Sequence, residues 1–222
     1  MLFHDRIDAG RKLAAALWDL RGSDCVVLAL PRGGVPVAVE VARILKAPLD
    51  ILLVRKIGAP RQPELAIGSV VDGGVPIIVQ DHELLRLTGT SERVFDELCV
   101  RELAEIERRR HLYLGGRVPI SLEGRTAIVI DDGLATGNTM RAALQAARLR
   151  RPARLVLAVP VAPAGTMAEF CHAADAVICL TTPEPFGSVG QYYEDFTQTS
   201  DAEVISLLNR YAPAPSIAGA QA

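Results

Sequence analysis

Short aliphatic runs alternate along the chain with longer stretches in which apolar residues recur every three or four positions. That alternation is the signal of strands and amphipathic helices in turn. Residues 6–20 read as a helix and 26–30 as a short apolar strand, which Pro31-Arg32-Gly33-Gly34 breaks before a helix over 35–45. A strand is predicted over 51–54, and 55–74, with Gly58, Pro60 and Pro63, reads as loop-like, although 65–71 can form an edge strand. Asp72-Gly73-Gly74 has hairpin-turn chemistry and leads into an apolar run over 75–80. Residues 91–114 form a charged helical stretch, with Ser91 before an acidic first turn and Arg108-Arg109-Arg110 near its end, as the helix dipole favours. Strands over 126–130, 154–159 and 176–180 alternate with helices over 138–149 and 166–173, and a last helix covers 201–211. This order predicts an α/β fold: an open, mainly parallel twisted sheet flanked by helices, with a helical insertion at about 81–114.

Composition narrows the picture. Half of the 222 residues are hydrophobic and only 5% aromatic, so the core must be aliphatic, as buried parallel strands require. A net charge of -2 gives no whole-molecule pull toward nucleic acid or anionic membrane. No uncharged run approaches the roughly 20 residues that span a bilayer, and the first twenty residues lack a signal peptide's apolar core, so a cytoplasmic protein is expected. One domain over 1–211 and a flexible small-residue tail over 212–222 are expected. The four cysteines show no zinc-like spacing; Cys25, Cys171 and Cys179 lie in or beside apolar runs and read as reduced, buried thiols. Arg108-Arg109-Arg110 reads as a solvated helix end, and the four histidines are scattered.

Two strand ends carry candidate chemistry. Ala127-Ile-Val-Ile-Asp131-Asp132-Gly133-Leu134-Ala135-Thr136-Gly137-Asn138-Thr139 delivers two adjacent carboxylates to a strand tip, followed by a small-residue loop that enters a helix. Backbone N–H groups from Ala135 to Thr139 would point outward at the helix N-terminus, where an anion is favoured. Asp131 and Asp132 would repel a phosphate, so they should face hydroxyls or a hydrated Mg2+ ion. A phosphorylated sugar satisfies both halves; an ordinary acidic strand end does so equally, on these residues alone. Leu30-Pro31-Arg32-Gly33-Gly34 is the second such turn, with exposed N–H groups and a guanidinium fork suited to phosphate. No GxxxxGK[ST] or GxGxxG pattern competes with either.

The thirteen residues 127–139 resemble the 5-phosphoribosyl-1-pyrophosphate (PRPP) signature of type I phosphoribosyltransferases. The resemblance implies that Asp131 and Asp132 hold the ribose hydroxyls, and Mg2+ through water, while Ala135, Thr136, Gly137, Asn138 and Thr139 hold the 5-phosphate. Arg32, Gly33 and Gly34 resemble the family's pyrophosphate loop, and Lys56 the cation added toward pyrophosphate. Arg61 and Glu64 fall where the family has a mobile loop. The resemblance runs over about 26–180, leaving the N-terminal helix and the insertion outside the family's minimal core. Residues 181–199, rich in Phe186, Tyr192, Tyr193 and Phe196, stand where the family carries its acceptor-binding hood. Phe186 is the candidate for stacking on a base, whereas Phe196 serves equally to pack the C-terminal helix. Ala135 replaces the third acid of 6-oxopurine enzymes, which counts against a hypoxanthine-guanine reaction. The implied function is Mg2+-dependent transfer of phosphoribose to a nitrogenous acceptor, a nucleobase in nucleotide salvage, by a homodimer. The alternatives are a PRPP- or nucleotide-sensing regulator without turnover, or an accessory protein.

Overall fold

The computed structural model describes residues 2–72 and 76–211. Its centre is a five-stranded parallel sheet in the order β2-β1-β6-β7-β8. The strands are β1 (Cys25–Ala29), β2 (Leu49–Ile51), β6 (Thr126–Ile130), β7 (Arg154–Val161) and β8 (Ala176–Thr181). Successive side chains of a strand point to opposite faces, and the core divides accordingly. Cys25, Val27 and Ala29 of β1, with Ile128 and Ile130 of β6, face one cluster built with α1 (Arg6–Ala16) and α2 (Gly34–Leu45). Val26, Leu28, Ala127 and Val129 face the other, filled by Met140, Ala143, Leu144 and Ala147 of α5 (Asn138–Leu149). Both faces being covered explains why these strands read as unbroken apolar runs.

The topology also places the site. From β1 the chain crosses to β2 on one side, and from β6 it crosses to β7 on the other. Such a reversal opens a crevice beyond the carboxyl ends of β1 and β6, where open α/β sheets bind ligands.

Residues 55–71 are not a loop. They form β3 (Val54–Ala59) and β4 (Gln62–Val71), which with β5 (Ile77–Gln80) make an antiparallel sheet in the order β3-β4-β5. Gly58 and Pro63, read from sequence as loop punctuation, mark a bulge: the register shifts on both sides of Gly58, where a Cβ would lie 2.2 Å from the Pro63 carbonyl oxygen. The turn expected at Asp72-Gly73-Gly74 lies outside the described residues beyond Asp72, as does the tail over 212–222.

The insertion is helical, as expected, but in two pieces: α3 (His82–Thr88) and α4 (Glu92–Leu114), with Gly89 at φ 63° between them. Phe95, Cys99 and Ile106 of α4 join Ile57 and Ile67 in the main core, so the insertion covers the antiparallel sheet. The Arg108-Arg109-Arg110 run is only partly a solvated end. Arg108 and Arg109 pair with Glu105, whereas Arg110 reaches buried Asp72 at 3.5 Å.

The remaining helices are α6 (Ala164–Glu169), shorter than predicted and followed by a 3-10 turn at Phe170–His172, and α7 (Asp201–Arg210). That turn points Cys171 outward, so the expectation of a buried thiol fails there; Cys25 and Cys99 are buried and Cys179 partly so. Among the described residues no helix is long and apolar enough to cross a membrane.

Candidate functional site

β1 and β6 end side by side, with Leu30 N–H donating to the Ile130 carbonyl at 2.9 Å. Immediately beyond, the two turns interlock. A Cβ on Gly33 would lie 2.1 Å from Asp132 Oδ2, and one on Gly34 would lie 2.7 Å from the Ile130 carbonyl oxygen and 2.9 Å from Asp131 Cα. The glycines are thus required by close approach: they let the first turn lie directly on the acid pair.

Asp131 and Asp132 are partly buried, and Asp132 N–H donates to Asp131 Oδ1 at 2.9 Å. Burial, then the neighbouring Asp132 charge, pushes the Asp131 carboxyl well above the usual carboxylate range. Burial raises Asp132 as well, opposed by an arginine that sequence reasoning had left outside the site. Arg6 of α1 sets both Nε and Nη2 at 2.8 Å from Asp132 Oδ2. The backbone of Asp132 is held too, since Tyr193 donates its hydroxyl to the Asp132 carbonyl at 2.6 Å. Burial, then the Asp132 charge, pushes the Tyr193 phenol upward, so it stays a donor. Tyr193→Phe is expected to cost about 1 kcal/mol, read as a melting point lower by roughly 2–4 °C.

The loop after the acids is braced without using the N–H groups of residues 135–139. Leu134 N–H donates to the Val161 carbonyl at 2.9 Å, and Thr166 Oγ1 donates to the Ala135 carbonyl at 3.1 Å. Gly137 caps α5 at φ 71°, with Phe170 packed where a Cβ would be. Among the described residues, no protein acceptor takes the N–H groups of Ala135, Thr136, Gly137, Asn138 and Thr139. Ala135, Thr136 and Asn138 are exposed. This is the arrangement of an anion cradle at a helix N-terminus.

The other sequence-predicted residues are more dispersed. Lys56, on β3, is exposed and lines a groove with Asn138 and Arg141, which puts it on the flank of the cradle. Arg32 is engaged elsewhere: its Nη1 lies 3.6 Å from Asp201 Oδ1, the oxygen to which Tyr113 donates at 2.5 Å. Arg61 sits in the tight connection between β3 and β4, and Glu64 within β4, in place of a long loop. Phe186 stacks on Tyr192 at 5.5 Å within an aromatic cluster. Contact with the acid loop comes instead from Val189, 2.5 Å from where a Gly133 Cβ would be, and from Tyr193. Phe196 packs on Tyr193 and lies 4.0 Å from the Arg6 guanidinium, rather than pinning the last helix.

Arg6 and Tyr193 are the residues that sequence reasoning missed. For Arg6 a signal exists: it falls on the buried stripe of α1 with Ala9, Gly10, Leu13 and Ala14, where an unpartnered charge has no place.

Comparison with known proteins agrees with this geometry. The family model described as "Phosphoribosyl transferase domain" matches residues 3–191, a span that includes the N-terminal helix. A Mycobacterium tuberculosis protein named as a phosphoribosyl transferase is 50% identical over 209 residues, covering 94% of this chain and 47% of its own length. The chain therefore spans about half the length of the curated relatives it matches first. The "Bifunctional protein PyrR" of Roseiflexus sp. is 34% identical over 128 residues, 55% of this chain and 62% of that one. Among solved structures, TT1426 from Thermus thermophilus superposes with a TM-score of 0.83 at 40% identity, covering 96% of this chain and 100% of that one. The AQ2163 protein from Aquifex aeolicus shares the fold alone, with a TM-score of 0.50 at 11% identity over 93% of this chain and 86% of that one. With an acid pair and an open anion cradle at the strand reversal, and a family match over most of its length, the chain belongs to the phosphoribosyl transferase domain family.

Proposed function

We propose that the crevice beyond β1 and β6 binds PRPP with Mg2+ and transfers the phosphoribosyl group to a nitrogenous acceptor, a nucleobase, with release of pyrophosphate. One observation carries this reading: among the described residues, five consecutive N–H groups without a protein acceptor adjoin two carboxylates on the same turn. The cradle over Ala135–Thr139 takes the 5-phosphate, and the ribose then lies over Asp131 and Asp132, whose oxygens accept from its hydroxyls.

The acid pair also suits a hard divalent cation. Among the described residues no group of three or more His, Cys, Asp or Glu could hold a metal, and Mg2+ is typically held by one or two carboxylates with substrate phosphates and waters. Bound there, Mg2+ would neutralise the departing pyrophosphate.

In the reaction the bond from the anomeric carbon to the pyrophosphate oxygen breaks and a bond to the acceptor nitrogen forms. Positive charge develops on the ribose, next to the acid pair. Gly33 and Gly34 offer backbone N–H groups toward the pyrophosphate, except that Gly34 N–H is engaged with the Leu30 carbonyl at 3.0 Å. Lys56, without an ion pair among the described residues, supplies cationic charge, and Arg32 joins once it leaves Asp201. Phe186, which stacks on Tyr192 in the aromatic cluster, is the residue that would stack on the acceptor base. The setting this implies is nucleotide salvage in the cytoplasm.

Calorimetric titration with PRPP, with and without Mg2+, tests the reading, followed by pyrophosphate release across a panel of bases. Saturable, Mg2+-dependent uptake and release with one base are expected. A protein that ignores PRPP overturns the proposal; uptake without release from any acceptor leaves a PRPP sensor.

A further inference from the structure

Arg6 is only 9% exposed, and every nitrogen of its guanidinium is used. Nε and Nη2 meet Asp132 Oδ2, Nη1 donates to the Thr197 carbonyl at 2.8 Å, and the plane lies 4.0 Å from the Phe196 ring centre. A buried guanidinium is retained only where its charge and donors are satisfied together. Its partner here is no bystander: it is one of the two acids on which the proposed chemistry turns. Nor can that acid easily swing away from Arg6. Gly33 packs so tightly on its carboxylate that there is room for a hydrogen but not a Cβ.

The charge consequence is direct. Two adjacent carboxylates at a strand tip would carry two negative charges and attract a divalent cation without any substrate. Arg6 cancels one of them at bonding distance and repels a second cation. The residual site is weak for bare metal. It becomes strong only when the metal arrives with further negative oxygens, as a complex with a pyrophosphate group.

We infer that Arg6 is a positioning residue that pins Asp132 and discriminates against free divalent cations, so that the acid pair accepts the metal only as its complex with the phosphorylated substrate. The inference rests on the reading of the crevice as a PRPP site and adds a residue from the N-terminal helix to it. Through Thr197 and Phe196 the same guanidinium ties the acid pair to the segment that follows β8, so the N-terminal helix, the acids and that segment are held in one register.

The test compares native protein with Arg6→Gln and Arg6→Lys. Mn2+ alone is titrated by electron paramagnetic resonance, and Mg2+–PRPP by calorimetry. Arg6→Gln is expected to bind Mn2+ alone about tenfold more tightly, because the repulsion of a nearby monovalent charge is gone. It is expected to bind Mg2+–PRPP about tenfold more weakly, because Asp132 loses its fixed orientation. Arg6→Lys should keep the native affinity for Mn2+ alone. A residue that merely held the helix in place would weaken both ligands or neither. Arg6→Met, equally neutral and at home on the apolar stripe, carries the same expectation if the Gln variant unfolds. Adding Asp131→Asn to Arg6→Gln should erase the gain in Mn2+ affinity. Unchanged Mn2+ affinity in the neutral variants, or a gain that survives loss of Asp131, overturns the role of Arg6. Failure of native protein to take up Mg2+–PRPP counts against the proposed function instead.

Discussion

Gly34→Ala is expected to lower the melting temperature by roughly 6–12 °C and to abolish PRPP uptake. The added methyl would lie 2.7 Å from the Ile130 carbonyl oxygen, 2.9 Å from Asp131 Cα and 3.2 Å from Asp131 Oδ1. Two of those three atoms are backbone, in a central strand end and in the acid turn, so no rotamer change relieves the clash. Overpacking of this kind costs up to about 3 kcal/mol, and about 2–4 °C per kcal/mol is usual at this chain length. The only relief is to part the two turns, which separates Gly33 and Gly34 from the acids. Gly165→Ala is the control, because nothing lies within 4 Å of its Cβ and it sits inside α6, where alanine is favoured. Thermal melts and PRPP calorimetry on both variants check this. A Gly34→Ala protein that melts and binds like the native one would mean that the turns do not interlock.

Asp131→Asn should move function and stability in opposite directions. If the crevice binds PRPP as proposed, exchanging one carboxylate oxygen for an amide NH2 removes an acceptor for a ribose hydroxyl and half of the carboxylate charge on the turn, so Mg2+–PRPP affinity is expected to fall about a hundredfold. The apo protein should nevertheless gain stability at neutral pH. The folded-state carboxyl titrates above its unfolded value, chiefly through burial and then through the Asp132 charge. The folded state therefore binds the proton more tightly. The stability that this provides is fully present below the unfolded value near 3.8 and is lost as pH rises through the folded one. Asparagine, which still accepts from Asp132 N–H, carries no such penalty. Urea melts with chelator present should show native and variant nearly equal at pH 4, with the variant more stable at pH 7. A variant that loses stability at pH 7 would make the carboxylate structural rather than strained for function. Such an exchange of stability for binding is common at sites built for a ligand.

Much of the local structure around the acid pair was legible along the chain because its determinants are local. The bounds of β6 and α5 coincide with the apolar run over 126–130 and the helical period over 138–149. The acids stand at the strand's end, and a glycine at φ 71° starts the helix. Each of those features depends on residues within a turn of one another. The parallel sheet followed similarly from the alternation of buried runs with amphipathic helices.

What misled was local chemistry serving a non-local purpose. Gly58 and Pro63 look like breakers, but cross-strand pairing between β3 and β4 absorbs them as a bulge. Arg32 forms an ion pair with an acid on the last helix, a partnership that nothing in its neighbourhood announces. Arg6 shows the division most clearly. Its place on the buried stripe of α1 required some partner, and that much is written in the helical period. Which partner is a matter of packing across 126 residues, decided only when α1 lies against the sheet beside the acid turn. Sequence by itself determined the strand, the acids at its tip and the helix start after them, because hydrogen bonding and periodicity act over a few residues. Tertiary structure alone decided which charge answers Asp132, because the pairing of buried charges depends on which surfaces meet.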